Sequence, residues 1–168
     1  MSSAFLDAAL AGDLAQASQI IDMRVPEEWL AQRWLMVLRQ EQIRVDPTLE
    51  PWLLRAVRLH SSGEMIGHIG FHAKPGAEYL HEYAPDGVEF GYTIFPAFRQ
   101  HGYAREASAA LMEWATRAHG VTAFVLSISP NNVPSLRIAA HFGFAMVGSM
   151  IDDQDGPEDV FVRYVAAQ

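Results

Sequence analysis

The chain has 168 residues, half of them apolar, with 12 Lys+Arg against 20 Asp+Glu and a formal charge of −8. That is one domain's length with ample material for a core; it argues against disorder, and a single lysine, Lys74, argues against nucleic acid as a partner. There is no cysteine, hence no disulfide, thiolate metal site or cysteine nucleophile; with Asp7 and Asp13 near the start and no run approaching the ~18 apolar residues of a membrane span, a cytoplasmic protein without a membrane partner is expected.

Residues 4–21 repeat apolar residues (Phe5, Leu6, Ala9, Leu10, Ile20) at helical spacings, interrupted by Gly12 and Asp13, which predicts one broken helix or two short ones. Pro26 opens a further helix, with Glu27 and Glu28 at its positive dipole end. Its expected apolar face is Trp29, Leu30, Arg33, Trp34, Val37 and Leu38, through about residue 39. From Pro51 the period changes. Segments 52–60 and 65–73 flank Ser61-Ser62-Gly63-Glu64 and read as an antiparallel hairpin. Residues 74–87 form a long loop, and 88–95 (VEFGYTIF) a third strand stopped by Pro96. The clearest helix is 103–119, with Gly120 at its end.

Segment 121–129 (VTAFVLSIS) is apolar enough for a central strand buried on both faces. Asn132 is positioned to cap a helix running to about Phe142, closed by Gly143. Strands near 145–151 and 159–166 flank the acidic turn DDQDGPED. No internal repeat, low-complexity tract or linker is visible. The order of elements predicts a mixed α/β domain around one sheet.

The stretch richest in chemistry is 88–104, VEFGYTIFPAFRQHGYA. A strand followed by a short connection and a long helix points several unpaired N–H groups at one spot, reinforced by the helix dipole. Gly102 and Ala104 leave that backbone uncovered, and Arg99 adds a cation able to fork onto a phosphate. The result is an anion cradle suited to a pyrophosphate. A dinucleotide fingerprint needs three glycines where one is present, and no Gly-Lys-Ser/Thr exists for a P-loop.

Arg99-x-x-Gly102-x-Ala104 resembles the Arg/Gln-x-x-Gly-x-Gly/Ala signature of the GNAT superfamily of acyl-CoA-dependent N-acetyltransferases. Asn132-Val133-Pro134-Ser135 followed by Gly143-Phe144 resembles a second motif of that family, and the likeness runs from about Trp52 to Tyr164. It is nearest the branch that includes the ribosomal-protein N-terminal alanine and serine acetyltransferases. The resemblance implies a mostly antiparallel central sheet flanked by helices, in a single domain 1–168. Residues 1–50 would form a helical acceptor-side region, and 51–168 would hold the sheet and the acetyl-CoA site.

It also implies roles. The pyrophosphate of acetyl-CoA would rest on the amides of Gln100, His101, Gly102, Tyr103 and Ala104 beside Arg99. Backbone near Ile94 would bond the pantetheine arm, and Asn132 and Ser135 would face pantetheine and thioester. The acceptor, a primary amine such as an N-terminal amine or a polyamine, would attack the thioester directly. Glu89 is the expected base, its pKa raised by half-burial. The family also allows a homodimer.

Two departures stand out. The tyrosine that many members carry about four residues before Gly-Phe is replaced by Ala139, so the thiolate's proton would come from Ser135, a water or another tyrosine, or not at all. A first strand is expected to be missing, or reduced to Met1–Ala4. Both departures keep open a rival reading as a non-catalytic acyl-CoA-binding or interaction domain. No metal is expected: His68 and His72 share a strand face but stand about 13 Å apart. The acidic residues Asp152, Asp153, Asp155, Glu158 and Asp159 read as a solvated hairpin tip; with Glu78, Glu82 and Asp86 they would draw in a cationic amine.

Overall fold

Gly12 and Asp13 divide the N-terminal helical stretch in two in the computed structural model, which describes residues 1–152 and 156–166. Helix α1 (Ser3–Leu10) begins at Ser2, whose hydroxyl accepts from the Phe5 N–H at 3.3 Å. Helix α2 (Leu14–Ile21) begins at Asp13, whose carboxylate accepts from Gln16 N–H at 2.9 Å. In both, a short polar side chain satisfies a donor that the helix cannot. No strand precedes α1 among the described residues.

The helix expected from Pro26 differs in pitch and length. Glu27–Gln32 is a 3-10 turn, and the α-helix proper, α3, runs Arg33–Val45. A 3-10 turn advances three residues per revolution rather than 3.6, so it shifts the phase of everything after it. The stripe that turns inward is Trp29, Met36, Arg39 and Ile43, whereas Leu30, Trp34 and Val37 are exposed. Of the predicted face, Trp29 stays buried and Leu38 is half-buried, while Arg33 is exposed with the other three.

Strands β1 (Leu54–Leu59) and β2 (Glu64–Phe71) form the expected antiparallel hairpin, in register from Leu54 opposite Gly70 to Leu59 opposite Glu64. Strand β3 (Val88–Ile94), helix α4 (Tyr103–His119), strand β4 (Ala123–Ile128), helix α5 (Val133–Phe142) and strands β5 (Ala145–Asp152) and β6 (Gly156–Tyr164) follow. The six strands take the order β1-β2-β3-β4-β6-β5. β3 and β4 are parallel, as their connection through α4 requires; β4 with β6 and β5 with β6 are antiparallel. The architecture is thus mixed α/β with a mostly antiparallel sheet.

The residues pack as two compact units. The first, Met1–Gly70 with Tyr92–Ser108, centres on Phe5, Leu6, Trp29, Met36, Leu54, Met65 and Phe95. Here the helices of the first fifty residues pack with the hairpin strands rather than standing apart. The second, Phe71–Gly91 with Ala109–Gln168, holds Leu80, Ala84, Ala123, Val125, Val160 and Val162. Phe71 meets Phe90 edge-on at 6.2 Å and stacks on Trp114 at 6.3 Å. β4 is buried along nearly its whole length, as a strand with neighbours on both edges should be, while the edge strand β5 is mostly exposed.

Both strands reach further into the acidic segment than the sequence suggests. Asp152 ends β5, and Glu158 and Asp159 are already in β6; Asp153 and Asp155 lie outside the described residues. No helix among the described residues is long and apolar enough to cross a membrane.

Candidate functional site

The first cluster lies at the β3–α4 junction, within the first unit. After Ile94 the chain makes a 3-10 turn, Pro96–Phe98, then passes through Arg99 to the start of α4. Gln100 and Gly102 both have left-handed backbones, φ +66° and +85°. A non-glycine residue held there costs on the order of 1–2 kcal/mol, and such strain collects at ligand clamps. Residues at alternate positions in this conformation turn successive N–H groups inward into an anion-binding concavity. Gly102 also accepts the first ladder bond of α4, from Glu106 N–H at 3.1 Å, so the preceding amides stand outside the helical ladder.

The sequence singles out Arg99 and Gln100 through Ala104 but not the left-handed backbone of Gln100, because a left-handed glutamine has no sequence signal. Nor does it single out Arg105: a Cβ built on Gly102 would lie 3.8 Å from its guanidinium, so a second cation borders the cradle. His101 stacks on Tyr103 at 5.6 Å and bonds the Arg99 carbonyl at 2.7 Å. Arg99 is not simply a free cation beside the amides. Its Nε donates to the Ile94 carbonyl at 2.9 Å, tying the end of β3 to the loop. Phe95 N–H donates to Ile66 on β2, so by strand alternation the peptide edge of Ile94 faces away from β2. Gly102 itself brings no side chain to this junction.

The second cluster lies within the second unit, at the start of β3. Only Val88 and Glu89 pair with β4, opposite Phe124 and Val125; beyond Glu89 the ladder between the two strands ends. Glu89 is therefore the last paired residue before the strands part. Its side chain is 6 % exposed, and Oε2 lies 3.2 Å from Nδ1 of His72, the residue after β2, whose side chain is 40 % exposed. Main-chain bonding holds the pair in register: His72 N–H donates to the Glu89 carbonyl at 2.9 Å.

The expectation of a raised pKa for Glu89 is overturned. Burial does push the carboxyl up, but hydrogen bonds from His72, Ser127 and Tyr79 and the charge of the imidazole outweigh it and hold the carboxyl below its ordinary value. The Ser127 hydroxyl also donates to Met150 Sδ at 3.6 Å. His72, Tyr79 and Ser127 were not singled out for this site because three separate segments supply them. Tyr79 comes from a 3-10 turn, Glu78–Leu80, within the long loop.

Asn132 and Ser135 sit in the first turn of α5, joined to each other: Asn132 Oδ1 accepts from Ser135 N–H at 3.3 Å. This is a helix cap, and it sets a separable expectation. Asn132→Ala should cost about 1 kcal/mol in urea unfolding, and Asn132→Asp should restore it by keeping the acceptor oxygen. If Asn132→Asp regains stability yet binds acetyl-CoA as weakly as Asn132→Ala, the amide has a ligand role beyond the cap. Ala139 is buried, at 1 % exposure. Gly143, with φ +72°, closes the helix as expected.

Comparison with known proteins places these two clusters in context. The family model for the acetyltransferase (GNAT) domain matches residues 7–145. An uncharacterized N-acetyltransferase of Bacillus subtilis, YnaD, is 30% identical over 84 residues, 50% of this chain and 45% of its own length, so the match spans about half of that relative. A GNAT-family acetyltransferase from Bordetella pertussis superposes with a TM-score of 0.62 at 24% identity, covering 80% of this chain and 77% of its own. The acetyl transferase of Salmonella typhimurium that modifies the N-terminal serine of a 50S ribosomal subunit protein superposes at 0.58, with 17% identity over 78% and 76%. These likenesses concern the fold.

Proposed function

Since the chain belongs to the GNAT acetyltransferase family, we propose that it transfers the acetyl group of acetyl-CoA to a primary amine. The observation that carries this reading is the strained junction at Gln100 and Gly102, two left-handed residues opening α4 inside the stretch the family covers. The amides of Gln100 through Ala104, with Arg99 and Arg105 alongside, would hold the pyrophosphate. The outer edge of β3 at Ile94 would take the pantetheine arm, with Asn132 and Ser135 on the thioester side. Acetyl-CoA, when bound, supplies an activated acyl group that an amine can attack without a protein nucleophile.

The chain's own task is then to orient the amine and take its proton, since a primary amine is mostly protonated at neutral pH. Glu89 and the groups around it are the proton-handling end of the site. Glu78, Glu82 and Asp86 are exposed on the 74–87 loop, and the net charge of −8 favours a cationic acceptor arriving over one that is anionic. That supports a polyamine or the free N-terminus of a peptide as acceptor.

Calorimetric titration with acetyl-CoA tests the donor half. A dissociation constant near 10 µM, about −7 kcal/mol, is expected. Mass spectrometry of spermidine and of short peptides with free N-termini, incubated with the protein and acetyl-CoA, tests the acceptor half. No binding up to millimolar acetyl-CoA would overturn the reading and favour a binding or interaction domain that kept only the fold.

A further inference from the structure

The outer face of α3 is apolar where a helix at a protein surface is ordinarily polar. Trp34 is 56% exposed and Val37 47%, with Leu30 of the preceding 3-10 turn and Val45 at the helix end exposed as well. Single exposed apolar residues are normal, but a row of them along one helix marks a surface that meets something. The 3-10 turn is what leaves the row outside, by shifting the phase of the helix that follows it.

The charges on this face decide what it meets. Arg33, Val37 and Glu41 follow one another at steps of four residues, so they form one ridge of the helix surface. The cation stands four residues before the valine and the anion four residues after it. A two-fold axis through Val37 therefore lays this ridge antiparallel on its own copy with opposite charges in register. Arg33 of each copy lies against Glu41 of the other, the contact occurs twice, and Val37 meets Val37 between them. Trp34 and Leu30 pack alongside. Both charged groups are open to such a contact: Arg33 is exposed while Nη1 donates to the Leu10 carbonyl at 3.0 Å, and Glu41 pairs with Arg44 at 2.6 Å with its side chain 56% exposed.

The wider charge balance favours the same occupant. α3 turns Arg33, Arg44 and Glu41 outward, a small positive excess in a chain whose formal charge is −8. Two copies that repel elsewhere can meet here without acid facing acid. Glu27 and Glu28 open the 3-10 turn at the far end of the face, toward Arg44 of the second copy. An anionic lipid surface, by contrast, would be repelled by the rest of the chain.

We propose that the outer face of α3 and its preceding turn is the contact between two copies of this chain, paired antiparallel about Val37. The inference goes beyond the acetyl-transfer reading and does not depend on it. The face lies wholly within the first unit, and association is measured without acetyl-CoA. Helix and turn together run about 30 Å, so the pair has an interface at the small end of specific complexes and a dissociation constant of about 10 µM is expected.

Sedimentation equilibrium of the full chain, from about 1 to 200 µM, tests this. The unchanged chain should pass from monomer to dimer across that range. Val37→Glu places a charge on the axis at an exposed position and should weaken the dimer at least about 30-fold. Arg33→Glu and Glu41→Arg should each weaken it about 10-fold, because each sets like charges against each other. The double exchange, Arg33→Glu with Glu41→Arg, should bring the affinity back to within about 3-fold of the unchanged chain. Circular dichroism checks that every variant keeps its helices.

An unchanged chain still monomeric at about 200 µM would overturn the proposal. A dimer that Val37→Glu leaves intact would do the same, since the contact would lie elsewhere. Failure of the double exchange to regain what the single ones lose would overturn the pairing about Val37. Co-sedimentation of a monomeric chain with phosphatidylglycerol vesicles, lost in Trp34→Glu, would assign the face to a membrane surface and overturn the proposal too.

Discussion

Gly102→Glu is expected to abolish acetyl-CoA binding while leaving the chain folded. Three effects act together. The residue has φ +85°, a conformation that costs a side-chain-bearing residue on the order of 1–2 kcal/mol. The new carboxylate would stand at the proposed cradle of N–H donors and repel the pyrophosphate proposed to bind there. It would also emerge beside Arg105, whose guanidinium is 3.8 Å from the new Cβ, and would engage that cation. A loss of at least about 3 kcal/mol, more than 100-fold in affinity, follows. Gly102→Ala separates the contributions: it carries the backbone strain without the charge, so its affinity should fall only about 10-fold. Equal affinity in the unchanged chain and Gly102→Glu, measured by calorimetry with circular dichroism to confirm folding, would remove this junction from the cofactor site.

The second large effect is on stability in acid and comes from His68. The imidazole is 5 % exposed, packs edge-on against Trp29 at 5.2 Å, and neither ring nitrogen has a hydrogen-bond partner among the described residues. Burial, reinforced by the nearby Arg39 guanidinium, pushes its pKa down to about 4 from 6.5. The unfolded chain therefore binds a proton on this ring below about pH 6.5, which the folded chain refuses until about pH 4. In that window the unfolded state holds more protons, so stability falls as the pH falls; above it the group contributes no pH dependence. The full loss is about 3 kcal/mol, a large share of a domain's stability. His68→Leu replaces the ring with an apolar group that does not titrate. Urea unfolding at pH 7.5, 5.5 and 4.5 should show a shallower acid decline in His68→Leu than in the unchanged chain. Parallel declines would mean that the ring accepts its proton in the folded state.

Much of the fold is legible in the sequence because its signals are local. Asn132 and Gly143 bracket α5 by cap chemistry, and Ser61-Ser62-Gly63 announces the hairpin turn. The apolar run that becomes β4 is a record of burial on both faces. α3 is the counterexample: one 3-10 turn ahead of it, invisible in the residue pattern, moved Trp34 and Val37 to solvent and turned Arg39 inward. Arg39 escapes a periodicity argument altogether, because a charge on a buried stripe contradicts the pattern being sought.

The site divides in the same way. Arg99-x-x-Gly102-x-Ala104 lies within six residues, so a cradle could be proposed from it: an anion site made of backbone needs only a strand, a tight turn and a helix start, and short-range sequence specifies all three. The surroundings of Glu89 could not be read this way. Glu89 was recognisable by its strand, but its protonation preference depends on a balance between burial and donors brought from residues 72, 79 and 127. Each of those is an ordinary residue in its own segment. Sequence alone determined the family motif and the order of most elements, because these are written in neighbouring residues. Tertiary structure alone decided that Glu89 is held below its ordinary carboxyl pKa and His68 below its ordinary imidazole value, because the energy of a charge is set by what surrounds it in space.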